Sequence, residues 1–236
     1  SADSIASPNT KLNAIVAEAL CEAADRLEKA EDFDLEVHDI IKEYMTKHQR
    51  IIFNGDGYSD EWVTEAARRG LPNIKSMIEA ASTITTDKAV ALFERFGIFN
   101  RVELESREEI IYETYAKTIN IEALTMIDMA GKDIIPAVAS YAGDLANCVI
   151  AIKEAGATAA AQVEMLNEVD ALLAEAKKAL NILKEVEAGA AGISDMKELA
   201  FYYKDTVKVA MDALRAPIDK LEMIVDSTIW QIPTYG

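Results

Sequence analysis

Residues 119–152, INIEALTMIDMAGKDIIPAVASYAGDLANCVIAI, form the most regular segment of the chain and indicate its fold class. Apolar side chains recur there every eleven residues in three series. The series are Ile119, Ala130, Tyr141 and Ile152; Ala123, Ile134 and Leu145; and Ile127, Val138 and Val149. Eleven residues are close to three turns of an α-helix, so one face can stay buried over many turns. The segment therefore predicts a long helix with one buried face.

Pro136 lies inside this helical pattern. A proline in a helix interior removes a backbone donor, and its ring clashes with the carbonyl four residues earlier, here that of Lys132. The sequence therefore predicts either a kink at Pro136 or a break between two helices.

After Gly156 the apolar period shortens to alternating steps of three and four residues. The first set is Leu166, Val169, Leu173, Ala176, Leu180 and Leu183, and the second is Met196, Ala200, Tyr203, Val207, Ala210 and Leu214. The segment AGAAGIS, residues 188–194, separates them. Two heptad helices joined by a short glycine-containing turn predict an antiparallel, coiled-coil-like hairpin over about residues 157–215. Pro217 is then expected to start a last helix.

The N-terminal part shows the same kind of helical spacing. A first helix carries an apolar stripe of Leu12, Ile15, Val16, Ala19, Leu20, Ala23 and Leu27, and a second carries Val37, Ile40, Ile41, Tyr44, Met45 and His48. No stretch alternates polar and apolar residues for long enough to predict a strand. The predicted fold class is all-α, an elongated helical bundle with a long kinked helix and the hairpin.

Composition limits the partners. The chain has 236 residues and a formal charge of −17, which argues against binding to nucleic acid or to an anionic membrane surface. The longest uncharged apolar run, residues 134–143, is too short to span a bilayer. Cys21 and Cys148 have no paired spacing and are expected to be reduced and buried. We therefore expect a soluble, cytoplasmic protein without nucleic-acid or membrane partners.

The chain offers few groups with metal or acid–base chemistry. Its two histidines do not fit the Glu-x-x-His pattern of di-iron bundles, because Leu35 precedes His38 by three residues and Met45 precedes His48. His48 is better explained as a core or interface residue. Carboxylates on the long segment, such as Asp128 four residues before Lys132, have the spacing of a polar helix face. We therefore expect no catalytic, cofactor-binding or metal-binding residue in this chain.

Residues 53–62, FNGDGYSDEW, could be either an ion-binding loop or a turn that starts a helix. The spacing of carboxylates does not fit an EF-hand, and the stretch lacks the lysine of a phosphate-binding loop. Asn54-Gly55 and Asp56-Gly57 are turn dipeptides, and Ser59 is a good N-cap. We interpret the stretch as a turn and cap, with Trp62 anchored in the core, and expect it to bind nothing.

Four blocks of sequence then carry a family resemblance. They are FNGDGYSDEWVTEAARRGLPNI (53–74), ALFERFGIF (91–99), YAKTINIEALTMIDMAGKDIIPAV (115–138) and DSTIWQIPTYG (226–236). Together they resemble the C-terminal helical region of type III glutamine synthetases. Residues 1–20 look like the segment that follows an arginine-bearing strand of the family's catalytic domain. The resemblance implies that residues 1–30 end the catalytic-domain region and residues 31–236 form the C-terminal helical domain.

The resemblance also implies a parent enzyme of nitrogen metabolism. Such a ligase makes glutamine from glutamate, ammonia and ATP with a divalent metal, and it assembles into a homo-oligomer of hexameric rings. None of the family's catalytic residues maps onto this chain. We therefore expect an inactive fragment with a structural or oligomerisation role, whose partners are the remainder of the parent subunit and its homo-oligomer.

Two other functions stay open at this point. One is a stand-alone helical ligand-binding or sensor bundle, with a cleft near residues 53–62 and the expected kink at Pro136. The other is a metal-dependent enzyme on a helical bundle. It is the weakest of the hypotheses, because the spacing of possible metal ligands is wrong for it.

Overall fold

Every regular element in the described part of the chain is helical. The computed structural model describes residues 4–230 and 232–233. The α-helices are α1 (Ala6–Leu27), α2 (Phe33–Lys47), α3 (Asp60–Arg68), α4 (Met77–Ala81), α5 (Asp87–Arg95), α6 (Arg101–Met129), α7 (Ile135–Glu154), α8 (Ala160–Gly189), α9 (Met196–Tyr202) and α10 (Lys208–Glu222). The predicted all-α class is confirmed. Parts of two resembling segments, residues 1–3, 231 and 234–236, lie outside the described residues.

The chain divides into two units, one ending at Glu108 and the other beginning at Glu109. The first unit holds α1 to α5 and the start of α6, and α1 contacts both α2 and α5. The predicted boundary after residue 30 stays a prediction, but α1 packs in the same unit as the helices that follow it.

Short polar caps organise the helices of the first unit. Asp32, Ser59, Ser76 and Thr86 each accept a hydrogen bond through the side chain from a backbone N–H in the first turn of the helix that follows. These bonds satisfy donors that a helix start leaves without partners. The buried apolar cluster around α1, α5 and α6 is small and consists of Ala14, Val90, Phe93 and Leu104.

The second unit has a much larger core, formed where α8 packs against α7 and α10. All ten positions of the eleven-residue series are buried or half-buried. The heptad positions of α8 and of the helical segment after it are buried in the same way, with Leu180, Leu183, Val207 and Leu214 fully enclosed. The sequence patterns of this unit therefore mark the side chains that form its core.

Pro136 does not break the long helix. Residues Arg101–Glu154 form one continuous helix that includes a five-residue π-helical segment, Ala130–Ile134, directly before α7. Pro136 has no backbone N–H to donate to the carbonyl of Lys132, and Lys132 lies within this π segment. The irregularity expected at Pro136 is therefore found about one turn earlier, as this π segment. π segments are, like prolines, a recognised cause of helix bending. A second π segment, Tyr203–Val207, joins α9 to α10.

Pro217 does not start a new helix, so that expectation was wrong. It lies inside α10 and is buried. Leu214, Ile218 and Leu221 are buried on either side of it. Packing of this apolar face maintains the helix through the proline, although one backbone hydrogen bond is lost there.

The long helix is also apolar. Within Arg101–Glu154, an 18-residue window has a mean hydropathy of 1.5, and 22% of that window is buried. By length and composition this helix could cross a bilayer, a possibility that the uncharged run at residues 134–143 did not suggest. Core helices of soluble proteins meet the same two criteria, so the finding alone does not indicate a membrane protein.

Candidate functional site

The stretch FNGDGYSDEW folds as a tight turn that leads into α3. Asp56 organises the turn: its Oδ1 accepts from the backbone N–H of Tyr58 at 2.9 Å, and its carbonyl accepts from the Ser59 hydroxyl at 2.8 Å. The Ser59 Oγ in turn accepts from the backbone N–H of Trp62 at 3.3 Å and caps α3. The side chains of Asp56 and Ser59 thus form hydrogen bonds with backbone groups of the turn and of the first turn of α3.

Aromatic packing explains one glycine of the stretch. The rings of Phe53 and Trp62 stack with centroids 4.5 Å apart. A Cβ on Gly55 would lie 2.7 Å from Cε1 of Phe53, so a larger residue would displace that ring, whereas a Cβ on Gly57 would meet nothing within 4 Å. Asn54 is exposed beside them.

Trp62 is half-buried and belongs to neither cluster of buried apolar side chains. The expectation that Trp62 is anchored in the core was therefore wrong. The physical reason is that α3 is nine residues long and packs its tryptophan on the preceding loop.

Arg69 ties α3 to the chain before the turn. Its Nη1 donates to the carbonyl of Ile52 at 2.7 Å and to the carbonyl of Arg50 at 3.2 Å. Its Nε donates to Glu65 at 2.5 Å, and its guanidinium lies 5.6 Å from the ring centroid of Trp62. Four contacts therefore hold this arginine in one place.

Glu65 is shared between two arginines. Arg68 donates to both of its oxygens at 2.6 Å, in the paired geometry that a guanidinium and a carboxylate favour. The hydrogen bonds from Arg68, and secondarily from Arg69, lower the pKa of Glu65 to about 2. Glu65 is therefore ionised at neutral pH, and it neutralises one of the two positive charges.

These residues border a cleft of about 730 Å³, which we call the arginine cleft. Its lining consists of Met45, Thr46, Gln49, Arg50, Ile52, Asn54, Arg68 and Arg69. Three of the eight lining residues are arginines and none is acidic. A concave surface with this lining is suited to hold an anion.

The arginine cleft was not predicted from the sequence. None of its three arginines, Arg50, Arg68 and Arg69, was expected to bind anything. The spacing of Glu65 before the two arginines signals a local ion pair. Nothing local signals that Arg50, nineteen residues before Arg69, lines the same cleft, because the turn and tertiary packing bring them together.

The other sequence-selected groups lie apart from this cleft or do not combine into a site. Asp128 pairs with Lys132 on the long helix. In the described residues, no group of three or more His, Cys, Asp and Glu side chains is placed to hold a metal ion. Pro136 belongs to the second unit, so the hypothesis of a ligand cleft near both Pro136 and residues 53–62 stays a prediction.

The expected burial of Cys21 and Cys148 was wrong, and of the two positions expected for His48, core or interface, only the interface stays a prediction. Cys21 is half-buried and Cys148 is exposed, and both are free thiols. His48 is exposed at the end of α2, edge-on to Tyr44 with ring centroids 6.1 Å apart.

Comparison with known proteins points to one family. The family model described as glutamine synthetase C-terminal domain matches residues 36–153, a range that includes the arginine cleft. The chain is 40% identical over 202 residues to a glutamine synthetase of Butyrivibrio fibrisolvens, covering 85% of this chain and 29% of that protein. It is 32% identical over 242 residues to the type-3 glutamine synthetase of Dictyostelium discoideum, covering 97% of this chain and 32% of that protein.

A third relative, a glutamine synthetase of Bacteroides fragilis (strain YCH46), is 33% identical over 234 residues, covering 95% of this chain and 32% of that protein. The chain therefore spans about a third of the length of the curated relatives that it matches.

Proposed function

Since this chain belongs to the glutamine synthetase C-terminal domain family and is homologous to type-3 glutamine synthetases, we propose that it is a non-catalytic structural and oligomerisation part of such an enzyme. The parent enzyme is then an ATP-dependent, divalent-metal-dependent ligase that makes glutamine from glutamate and ammonia in the cytoplasm. In this role the chain itself supplies packing surface, and the remainder of the subunit supplies the chemistry.

The exposed apolar stripe of α1 is the observation that carries the proposal. Leu12, Ile15, Val16 and Leu20 expose between 55% and 65% of their surface. They lie on the face that periodicity marks as apolar. Ala14, on the opposite side of the helix, is the α1 residue enclosed by the first unit's own core. The helix is therefore oriented with its most apolar face away from the core of the first unit.

An apolar face of this kind is typical of an interface. Exposure of several neighbouring aliphatic side chains is unfavourable in water, and contiguous patches on soluble proteins mark sites of association. The relatives are about three times as long as this chain, so about two-thirds of a subunit has no counterpart in it. We propose that this remaining part of the same subunit covers the stripe.

The second unit supports a scaffold role through its own packing. Its core runs from α6 to α10 and encloses side chains contributed by α6, α7, α8 and α10. A unit with its own large core can keep its shape, as a scaffold requires. The assignment to a homo-oligomer rests on the family resemblance.

A matched pair of variants tests the docking face. The chain is co-expressed with a separate polypeptide that comprises the rest of the parent subunit, and association is measured by size-exclusion chromatography with light scattering. We expect the two pieces to associate and Val16→Asp to abolish the association. Val209→Asp, at a valine of similar exposure (60% against 55%) in the second unit, should leave it intact.

Three results would contradict the proposal. Equal loss of association in both variants, or full association of Val16→Asp, would show that the α1 stripe is not the docking face. ATP-dependent formation of glutamine by the purified chain alone would show that the chain is not a non-catalytic part.

A further inference from the structure

We propose that the arginine cleft is a binding site for a small organic anion that carries a carboxylate or a phosphate group. This proposal goes beyond the structural and oligomerisation role proposed above, which does not involve the arginine cleft. It also departs from the expectation that residues 53–62 bind nothing, because Asn54 lines the cleft.

The charge of the cleft is opposite to that of the chain. The protein carries a formal charge of −17, so a small anion is repelled by the molecule as a whole. Within the cleft, however, three arginines contribute to the lining, and Glu65, the carboxylate that pairs with Arg68 and Arg69, is not part of it. The local charge of these four groups is therefore +2. This local positive charge in an otherwise acidic protein favours binding of an anion at the arginine cleft.

Several donors of the cleft have no partner within the described part of the chain. The guanidinium of Arg50 makes no hydrogen bond or ion pair there. Arg68 donates to Glu65 through Nε and Nη2, so its Nη1 is available to a ligand. Arg69 donates through Nε to Glu65 and through Nη1 to backbone carbonyls, so its Nη2 is available. The side-chain amides of Gln49 and Asn54 are also without partners among the described residues. Planar guanidinium donors match the oxygens of carboxylates and phosphates.

The arginines of α3 are already ordered before any anion binds. Arg69 is held by two backbone carbonyls, by Glu65 and by the ring of Trp62, whereas Arg68, with 72% of its side chain exposed, makes paired bonds to Glu65. A site whose donors are held in place loses less conformational entropy on binding. Arg50, by contrast, makes no hydrogen bond or ion pair among the described residues that an anion would have to replace.

The size and the apolar part of the cleft indicate the kind of anion. About 730 Å³ lies within the usual range for small-molecule sites. Met45 and Ile52 supply an apolar wall beside the arginines, so a short carbon chain attached to the anionic group would gain contacts that inorganic ions cannot make. The geometry therefore suits a small dicarboxylate or a phosphate monoester.

The test is a binding titration of the full chain with two probes, succinate and glycerol 3-phosphate, at constant ionic strength maintained with sodium chloride. Binding is followed by isothermal titration calorimetry and by the NMR signals of the arginine side-chain Nε–H groups. The key variant is Arg50→Gln, which removes a charge but keeps the backbone carbonyl that Arg69 uses. The control is Arg215→Gln, which removes one positive charge from an exposed residue of α10.

We expect saturable binding of at least one probe, with perturbation of the Arg68 or Arg69 signals. Arg50→Gln should weaken it about tenfold or more, as expected for loss of a charge-assisted hydrogen bond, and Arg215→Gln should leave it unchanged. Saturation by succinate assigns the carboxylate class, and saturation by glycerol 3-phosphate assigns the phosphate class.

No saturable binding of either probe, or equal affinity in the wild-type chain and Arg50→Gln, would overturn the proposal. This test is independent of the docking face, because Val16→Asp leaves every lining residue of the cleft in place. Failure of one proposal can therefore be distinguished from failure of the other.

Discussion

The hydroxyl of Tyr202 donates a hydrogen bond to the carbonyl oxygen of Val186 at 2.8 Å, which links the last turn of α8 to α9. Val186 lies in the last turn of α8, and Tyr202 is the last residue of α9. This bond therefore joins the end of α8 to α9 across the turn between them.

Removing this hydroxyl should weaken the second unit. We expect Tyr202→Phe to lower the free energy of unfolding by about 1 kcal/mol, because a partly buried hydrogen bond is lost. Tyr58→Phe is the control, since Tyr58 is fully exposed and its hydroxyl makes no bond within the described residues. Chemical denaturation of both variants measures the difference, and an equal effect of the two substitutions would contradict the assigned role.

The same hydroxyl constrains Gly189. A Cβ added there would lie 2.7 Å from the Tyr202 oxygen. We expect Gly189→Ala to destabilise the wild-type chain but to stabilise the Tyr202→Phe background by up to about 1 kcal/mol, the helix-propensity gain of alanine over glycine. Gly143→Ala is the control, because a Cβ there meets nothing within 4 Å, and it should be stabilising in both backgrounds. Additivity of the two substitutions in denaturation experiments would refute the coupling.

Periodicity predicted the core of the second unit well, because both the eleven-residue series and the heptads mark the buried faces of their helices. The stripe of α1 is just as periodic, yet Leu12 and Leu20 are exposed. A pattern identifies which face of a helix is apolar, but it carries no information on what covers that face. The π segment at Tyr203–Val207 was missed because its apolar positions still follow steps of three and four.

The candidate site divides in the same way. The turn and the Ser59 cap depend on contacts within a few residues, so their chemistry is visible in the sequence. The arginine cleft depends on the position of Arg50 relative to α3, which follows from how the chain packs after the turn. Local chemistry could therefore predict the turn, and it could not predict the cleft.

The contrast between the two apolar surfaces can be measured. Leu180 is fully buried, and Leu180→Ala should cost about 2–5 kcal/mol of unfolding free energy because it leaves a cavity. Leu12 is 61% exposed, so Leu12→Ala should change the stability of the isolated chain by less than about 0.5 kcal/mol. Urea denaturation compares the two. A cost for Leu12→Ala as large as that for Leu180→Ala would mean that the chain itself covers the α1 stripe.

The N-cap of α3 gives a local prediction. Ser59→Ala should destabilise the first turn of α3 by about 1 kcal/mol, because the backbone N–H of Trp62 loses its acceptor. Ser59→Asn should retain most of the stability, since asparagine caps equally well. Amide hydrogen exchange at Trp62 reports the opening. Ser140→Ala, at an exposed serine inside α7, should leave this exchange unchanged. Equal exchange at Trp62 in wild type and Ser59→Ala would show that the cap is not formed.

The ion pairs of Glu65 make a prediction for acid solution. Its pKa is lowered from 4.5 to about 2, first by the hydrogen bonds from Arg68 and then by those from Arg69. A carboxylate with a lowered pKa stabilises the fold above its unfolded pKa, and that contribution is lost as pH falls from about 4.5 to about 2. We expect an NMR titration of the Glu65 side-chain carboxyl carbon to have its midpoint near 2. Arg68→Gln should move that midpoint upward, whereas Arg215→Gln, remote in sequence and paired with Asp219, should not. A wild-type midpoint near 4.5 would show that the arginines do not hold Glu65 in solution, and the preorganisation of the arginine cleft would then be lost as well.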